Sequence, residues 1–248
     1  MDIQTQIDEI NSKHISKKPK KKWYTILFQI FLVLAIMLGI AYSIFSIIYK
    51  EIDVIGVSMQ PTLNPQLDVD TTNEEAEKSK YKDKVCVNRF NSGENGDIIV
   101  FEHDCKNVIK RLIASEGDTI RIGYSSEYGR YMIFVNGEEI NDDYISNRDS
   151  DPMANLMSLY NKLLKNTQQA TPEYVVQDAS GEIALLVPEG KFFALGDNRV
   201  DKYSYDSLDY GFVDKSAIIG RVEIIIPHDT SIIQYFWKII KSLFGVKD

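Results

Sequence analysis

Tyr131-Met132-Ile133-Phe134-Val135-Asn136-Gly137 decides how this chain folds. Tyr131, Ile133 and Val135 alternate with Met132 and Phe134, the two-residue period of a strand. Asn136-Gly137 is the dipeptide that accepts positive φ at both centres of a type I′ turn, whose twist matches the two arms of a hairpin. The segment therefore predicts an antiparallel pair. Outward from it, beyond residue 50, the chain keeps the same pattern of short apolar runs broken by Gly-Asp and Asn-Gly. Strands are expected near 53–57, 84–90, 97–103, 108–114, 119–122, 131–135, 183–187, 192–195 and 217–226. The fold class is mainly β, a coiled antiparallel sheet interrupted by a small inserted α-containing subdomain.

Two stretches break the strand pattern. Residues 68–82, containing Thr71-Thr72-Asn73-Glu74-Glu75, are polar and aperiodic and read as a mobile surface loop. Their spaced acids lack the central glycine of a calcium loop. Residues 151–166 place Met153, Leu156, Met157, Tyr160, Leu163 and Leu164 at mostly three- and four-residue intervals behind Asp151-Pro152, an N-cap with proline in the first turn. This predicts a helix inside an insertion spanning 142–180, and leaves 50–141 and 181–228 as the β-rich domain. Within 229–248, Ile232, Ile233, Phe236, Trp237, Ile239, Ile240, Leu243 and Phe244 are interrupted by Lys238 and Lys241. That segment is short for a membrane span and reads as an amphipathic helix lying on a bilayer.

The opposite end carries a different signal. Residues 23–49 contain no charged side chain, and these 27 positions make roughly 40 Å of helix, enough to cross a bilayer. Ile47-Ile48-Tyr49-Lys50-Glu51 offers no small-residue cleavage site, so a removable leader does not fit. Lys17, Lys18, Lys20, Lys21 and Lys22 precede the segment, whereas Lys50, Glu51 and Asp53 follow it. The positive-inside rule then puts residues 1–22 in the cytoplasm and everything after Lys50 on the outer face, with Trp23, Tyr24 and Tyr49 as interfacial anchors.

Of 248 residues, 44% are hydrophobic and 26% charged, an ordinary globular balance. The net charge is -8, although the first 22 residues carry six Lys against three acids. The exterior part is therefore more acidic than the whole, which excludes a phosphate-backbone binder, so no nucleic acid is expected as a partner. Cys86 and Cys105 are too few for a disulfide scaffold or a four-cysteine zinc site. They can pair outside the cell, or each can serve as a small core residue. No metal and no cofactor is expected.

His14 is cytoplasmic by this topology, and neither His103 nor His228 lies in a nucleophile or zinc motif, so chemistry here is expected without imidazole. Ser58-Met59-Gln60-Pro61-Thr62-Leu63 follows the first exterior strand closely and is, by itself, a serine-containing proline turn. Val108-Ile109-Lys110-Arg111-Leu112-Ile113 puts two cations inside an apolar strand. Adjacent strand residues face opposite sides, so one of Lys110 and Arg111 points inward if the other is solvated. A lysine with a pKa near 10.4 is a poor base at pH 7, but burial can lower that value by ~3–5 units. A neutral amine beside a serine hydroxyl can then take its proton.

Four segments in this order, Ser58-Met59-Gln60-Pro61-Thr62-Leu63, Gly96-Asp97-Ile98-Ile99-Val100, Val108 to Asp118, and Gly196-Asp197-Asn198-Arg199, behind one N-terminal anchor, resemble the sequence boxes of bacterial type I signal peptidases. The resemblance runs from the anchor to about Pro227. It implies a membrane-bound serine endopeptidase with a Ser/Lys dyad that removes signal peptides with small residues before the cleaved bond from exported preproteins, at the outer face of the cytoplasmic membrane. Ser58 corresponds to the nucleophile and Lys110 to the general base. Arg111, Gly196, Asp197, Asn198 and Arg199 correspond to structural positions around the site. The expected partners are such signal peptides and the lipid bilayer, the peptide pairing in extended form with the 53–57 strand.

The chain departs from the family at three places. Val200-Asp201-Lys202-Tyr203 stands where two residues usually separate Gly-Asp-Asn-Arg from a serine. The following Ser204-Tyr205-Asp206-Ser207 still matches, which makes Ser204 the hydroxyl that orients the lysine and Asp206 a structural carboxylate. Leu208 replaces an arginine expected to pair with Asp206. Gly56 stands where some relatives have a serine as oxyanion donor, so the Ser58 backbone N–H is expected to carry more of that role. A serine at position 56 is expected to be tolerated, and a valine to obstruct the substrate.

Overall fold

The structure, a computed structural model, describes residues 22–140, 174–199 and 204–230, together with residues 3, 145 and 234. Helices expected at 151–166 and 231–246, and the tail 1–21 apart from residue 3, lie outside the described residues. Helix α1 (Trp23–Ile48) has 26 residues, apolar on every face and none of them buried. It is long and apolar enough to cross a membrane, with a mean hydropathy of 2.5. Contacts divide the chain into residues 1–47 and 48–248.

The second unit is mainly β, as the hairpin sequence predicts. One seven-stranded antiparallel sheet contains β1 (Tyr49–Asp53), β2 (Lys84–Asn88), β3 (Ile98–His103), β4 (Lys106–Ser115), β10 (Lys191–Leu195), β11 (Val213–Asp214) and β12 (Ile218–Ile226). Its order is β1-β2-β12-β3-β4-β10-β11. Register shifts in β12 and β10 insert bulges, which bend strands and curl this sheet. A second antiparallel sheet holds β5 (Thr119–Ser125), β6 (Arg130–Val135), β7 (Glu138–Glu139), β8 (Val175–Gln177) and β9 (Ile183–Leu186) in the order β7-β6-β5-β9-β8. Asn136 and Gly137 have φ of 55° and 85° and join Val135 to its partner Glu138, the two-residue turn read from the sequence.

The two sheets share a core. Ile113, Ala114, Phe193 and Leu195 of the first pack with Ile120, Ile133, Leu185 and Val187 from the second, and Leu208 lies against this cluster. A second cluster, with Val85, Val87, Ile98 and Val100, includes Met59 and Leu63. The segment after Ser58 is thereby anchored in the core.

Two expectations need correction. The strand placed at 53–57 ends at Asp53, because β1 begins directly after α1 and residues 54–57 are irregular. The supposed loop 68–82 contains α2 (Asn73–Lys78). Thr72 and Glu75 form a capping box, and Ala76 is fully buried against Val57 and Leu67, which together outweigh the polar composition. A third helix, α3 (Ser207–Tyr210), is capped by Asp206 and Asp209 in the same way. Cys86 is buried in β2 and Cys105 exposed in the β3–β4 turn, and both are free thiols.

Candidate active site

Ser58 is half-buried in the irregular segment after β1. The three carbonyls leading through it are all engaged. Asn64 Nδ2 donates to Gly56 O at 2.8 Å, Asn198 Nδ2 to Val57 O at 3.2 Å and Asn198 N–H to Ser58 O at 3.0 Å. Among the described residues the Ser58 N–H has no acceptor. A backbone whose carbonyls are tied down and whose amide remains unpaired beside a hydroxyl can stabilise an oxyanion formed at that hydroxyl.

Asn64 is the residue that sequence reasoning missed. It is wholly buried with φ of 53°, and its amide also donates to Val54 O at 2.9 Å. Its Oδ1 accepts from Asp83 N–H at 2.6 Å, while its own N–H donates to Asp83 Oδ2 at 2.7 Å. Asn64-Pro65, after Pro61, marks a turn in the sequence, and asparagine tolerates positive φ. Its partners could not be read from it. Between the bound carbonyls of Val54 and Gly56, the N–H and C=O of Ile55 have no partner among the described residues.

Lys110 in β4 is 3% exposed, and among the described residues its ammonium has no hydrogen bond or ion pair. Burial lowers its pKa from 10.5 to about 8, with Asp206, Asp197 and Asp209 pulling weakly in the opposite direction. Arg111, on the other face, is held differently. Its Nε and Nη2 bind the two carboxylate oxygens of fully buried Asp197 at 2.9 and 2.6 Å, and Nη1 donates to Gly96 O at 2.6 Å. Thr62 Oγ1 donates to Asp197 Oδ2 at 2.6 Å. This network joins all four sequence boxes.

Gly196 sits where a side chain cannot. A Cβ there would overlap both Ser204 Oγ and the Ser58 carbonyl, so Ser58, Gly196 and Ser204 are in close approach. Arg199 Nε donates to Gly196 O at 2.7 Å. Ser204 Oγ donates to Asp206 Oδ2 at 2.5 Å, and Asp206 also accepts from Gly196 N–H at 2.9 Å and Leu208 N–H at 3.1 Å. Neutral donors thus hold Asp206 without the arginine that Leu208 replaces, and Leu208 is committed to the core between the sheets. Among the described residues Ser204 bonds Asp206 rather than Lys110. His103 stacks on Tyr210 at 4.0 Å between ring centroids, a packing role.

Gly56 differs from the expectation. Its φ is 88°, outside the range side chains favour, and an added Cβ would lie 3.1 Å from Asn73 Oδ1. Serine at this position is therefore strained rather than freely tolerated.

A serine with an unpaired backbone amide and a buried lysine with no hydrogen bond among the described residues, on a curled β-sheet, are residue types that a hydroxyl-nucleophile hydrolase can use. Comparison with known proteins narrows the class. The model of the family "Signal peptidase, peptidase S26" matches residues 27–227. The chain belongs to the signal peptidase I (peptidase S26) family and is a serine peptidase. It is 26% identical over 193 residues to signal peptidase I V of Bacillus subtilis, covering 77% of this chain and 94% of that one. Signal peptidase IB of Staphylococcus aureus is 29% identical over 199 residues, covering 75% of this chain and 84% of its own. A solved signal peptidase I from Enterococcus faecalis shares 26% identity over 52% of this chain and 96% of its own, with a TM-score of 0.33.

Proposed function

We propose that this signal peptidase I cleaves signal peptides from exported preproteins with Ser58 as nucleophile and Lys110 as general base. The observation that carries the assignment is Lys110 itself, a buried amine with a pKa of about 8 and no partner among the described residues. Ser58 Oγ attacks the scissile carbonyl carbon as its proton passes to Lys110 Nζ. The carbonyl electron pair moves onto oxygen, where the Ser58 N–H receives it. On collapse the C–N bond breaks and the Lys110 ammonium returns the proton to the leaving amine. Water then hydrolyses the acyl-enzyme by the same route. Ser204, its hydroxyl held by the structural carboxylate Asp206, orients the amine, and Asn198, supported by the Arg111–Asp197 pair, holds the Ser58 carbonyl away from the reacting face.

The substrate is an extended peptide with small residues before the cleaved bond. The unpaired N–H and C=O of Ile55 offer it a short edge for backbone pairing, in place of the longer strand expected at 53–57. Residues 1–22 lie in the cytoplasm, 23–49 cross the cytoplasmic membrane, and the β-rich domain faces outward with its 142–180 insertion.

Purified full-length Ser58→Ala and Lys110→Ala should each lose cleavage of a preprotein in detergent while unfolding no earlier than the wild type. Near-normal cleavage by either variant ends the dyad assignment. Protease added outside spheroplasts should digest the chain after Lys50 and spare the N-terminal tail, and the reverse pattern refutes the orientation.

A further inference from the structure

We propose that Asn73 supplies a second donor to the oxyanion formed at Ser58, compensating for a glycine at position 56 that has no side chain to offer. The proposal rests on Ser58 being the nucleophile.

The placement follows from how α2 is seated. Ala76 is fully buried against Val57, the residue before Ser58, and against Leu67. Residues three apart on a helix share a face, so Asn73 projects from the same side as Ala76, over the segment leading to Ser58. Its carboxamide lies 3.1 Å from where a Cβ on Gly56 would stand. Asn73 is exposed to solvent, and among the described residues its carboxamide makes no hydrogen bond. Rotation about its last side-chain bond exchanges Oδ1 and Nδ2, so the same position can present a donor.

The distances are compatible with a shared acceptor. Backbone geometry limits the span from Gly56 Cα to Ser58 N to about 6 Å. Within that span, an oxygen about 2.9 Å from the unpaired Ser58 N–H can also be approached by a carboxamide standing over Gly56 once its side chain turns toward it. The carbonyls of Gly56, Val57 and Ser58 are bound by Asn64 and Asn198, so they do not compete for the Asn73 donor. When Ser58 Oγ bonds to the substrate carbon, negative charge collects on the carbonyl oxygen, and the Asn73 N–H contributes only once that charge develops. Its effect therefore belongs to the transition state, not to substrate binding.

The test uses full-length enzyme in detergent with a fluorogenic peptide spanning a signal-peptide cleavage site. Asn73→Ala should lower kcat about 100-fold or more with KM within threefold, as expected for loss of one oxyanion donor. Asn73→Asp, which substitutes a carboxylate for the amide, should lose at least as much. A peptide boronate forming a tetrahedral adduct with Ser58 should lose affinity in parallel, whereas affinity for the cleaved product peptide stays unchanged. Glu74→Gln, on the same helix, should retain wild-type turnover. If Asn73→Ala keeps kcat within threefold while Ser58→Ala is inactive, Asn73 is not a donor and the nucleophile assignment stands. If Asn73→Ala raises KM with kcat intact, Asn73 binds peptide and the proposal is overturned. If Ser58→Ala remains active, both assignments fall together.

Discussion

Lys110 and Arg111 are adjacent cations with opposite fates. Arg111 reaches a carboxylate that matches its fork, whereas Lys110 is enclosed with none bonded to it. The ammonium of Lys110 destabilises the fold wherever it persists. Below pH 8 both folded and unfolded states are protonated and the cost is complete. Between about 8 and 10.5 the folded state releases its proton first, so stability rises with pH, and above 10.5 the cost is gone. The shift corresponds to about 3 kcal/mol at pH 7. Lys110→Met should therefore raise the unfolding free energy by about 2–3 kcal/mol at pH 7 while abolishing turnover, as denaturant titration and a cleavage assay can show. Wild-type turnover should rise with pH through about 8 as the amine deprotonates, and a profile flat from pH 6 to 9 contradicts a lysine base. Asn64 is the complementary case. Asn64→Ala strips the donor from two carbonyls and the acceptor from the Asp83 N–H, and should cost about 2–4 kcal/mol together with most activity, because Gly56 is no longer held.

At the scale of elements, two short helices place the site. Six residues cannot sustain α2 in water, so its capping box and the burial of Ala76 maintain it. Thr72→Ala should destabilise α2 by about 1 kcal/mol, seen as roughly fivefold faster amide exchange in 73–78 with the sheets unaffected. Turnover should fall with it if Asn73 acts from that helix. The cap was legible as Thr72-Asn73-Glu74-Glu75, but polar composition argued for a loop, and only the burial of Ala76 settles which influence prevails. In α3, Asp206 is at once helix cap and acceptor for Ser204, so this helix start and the site share one carboxylate.

For the molecule as a whole, the curled sheet brings together boxes separated by more than a hundred residues. Thr62, Arg111, Gly96 and Asp197 come from four segments: Thr62 and Arg111 meet at the buried Asp197 carboxylate, and Arg111 also binds the Gly96 carbonyl. Arg111→Met should leave Asp197 charged and uncompensated, costing about 3–5 kcal/mol, and should reduce turnover because Asn198, the next residue, holds the Ser58 carbonyl. A variant with unchanged stability would show that water replaces the guanidinium. Leu208 has its explanation at this scale too. Its side chain belongs to the core between the two sheets, so an arginine at 208 would have to leave that cluster to reach Asp206.

Local physics made much of this protein readable in its sequence. An uncharged run of 27 residues makes an apolar helix long enough to span a bilayer whatever follows it, Asn136-Gly137 turns a hairpin on its own dihedrals, and period-two alternation marks strands before any packing exists. Ser58 and Lys110 were visible as residues, through the boxes that contain them. Alternation required one of Lys110 and Arg111 to face inward, but it could not say which one would find a counterion, since Asp197 lies 86 residues from Arg111. The end of β1 at Asp53, the carbonyls secured by Asn64 and Asn198, and the strain at Gly56 likewise depend on distant partners. Burial and hydrogen bonding are sums over neighbours that only chain closure supplies. The tertiary structure therefore decided the proton affinity of the amine and the direction in which the serine's backbone amide faces.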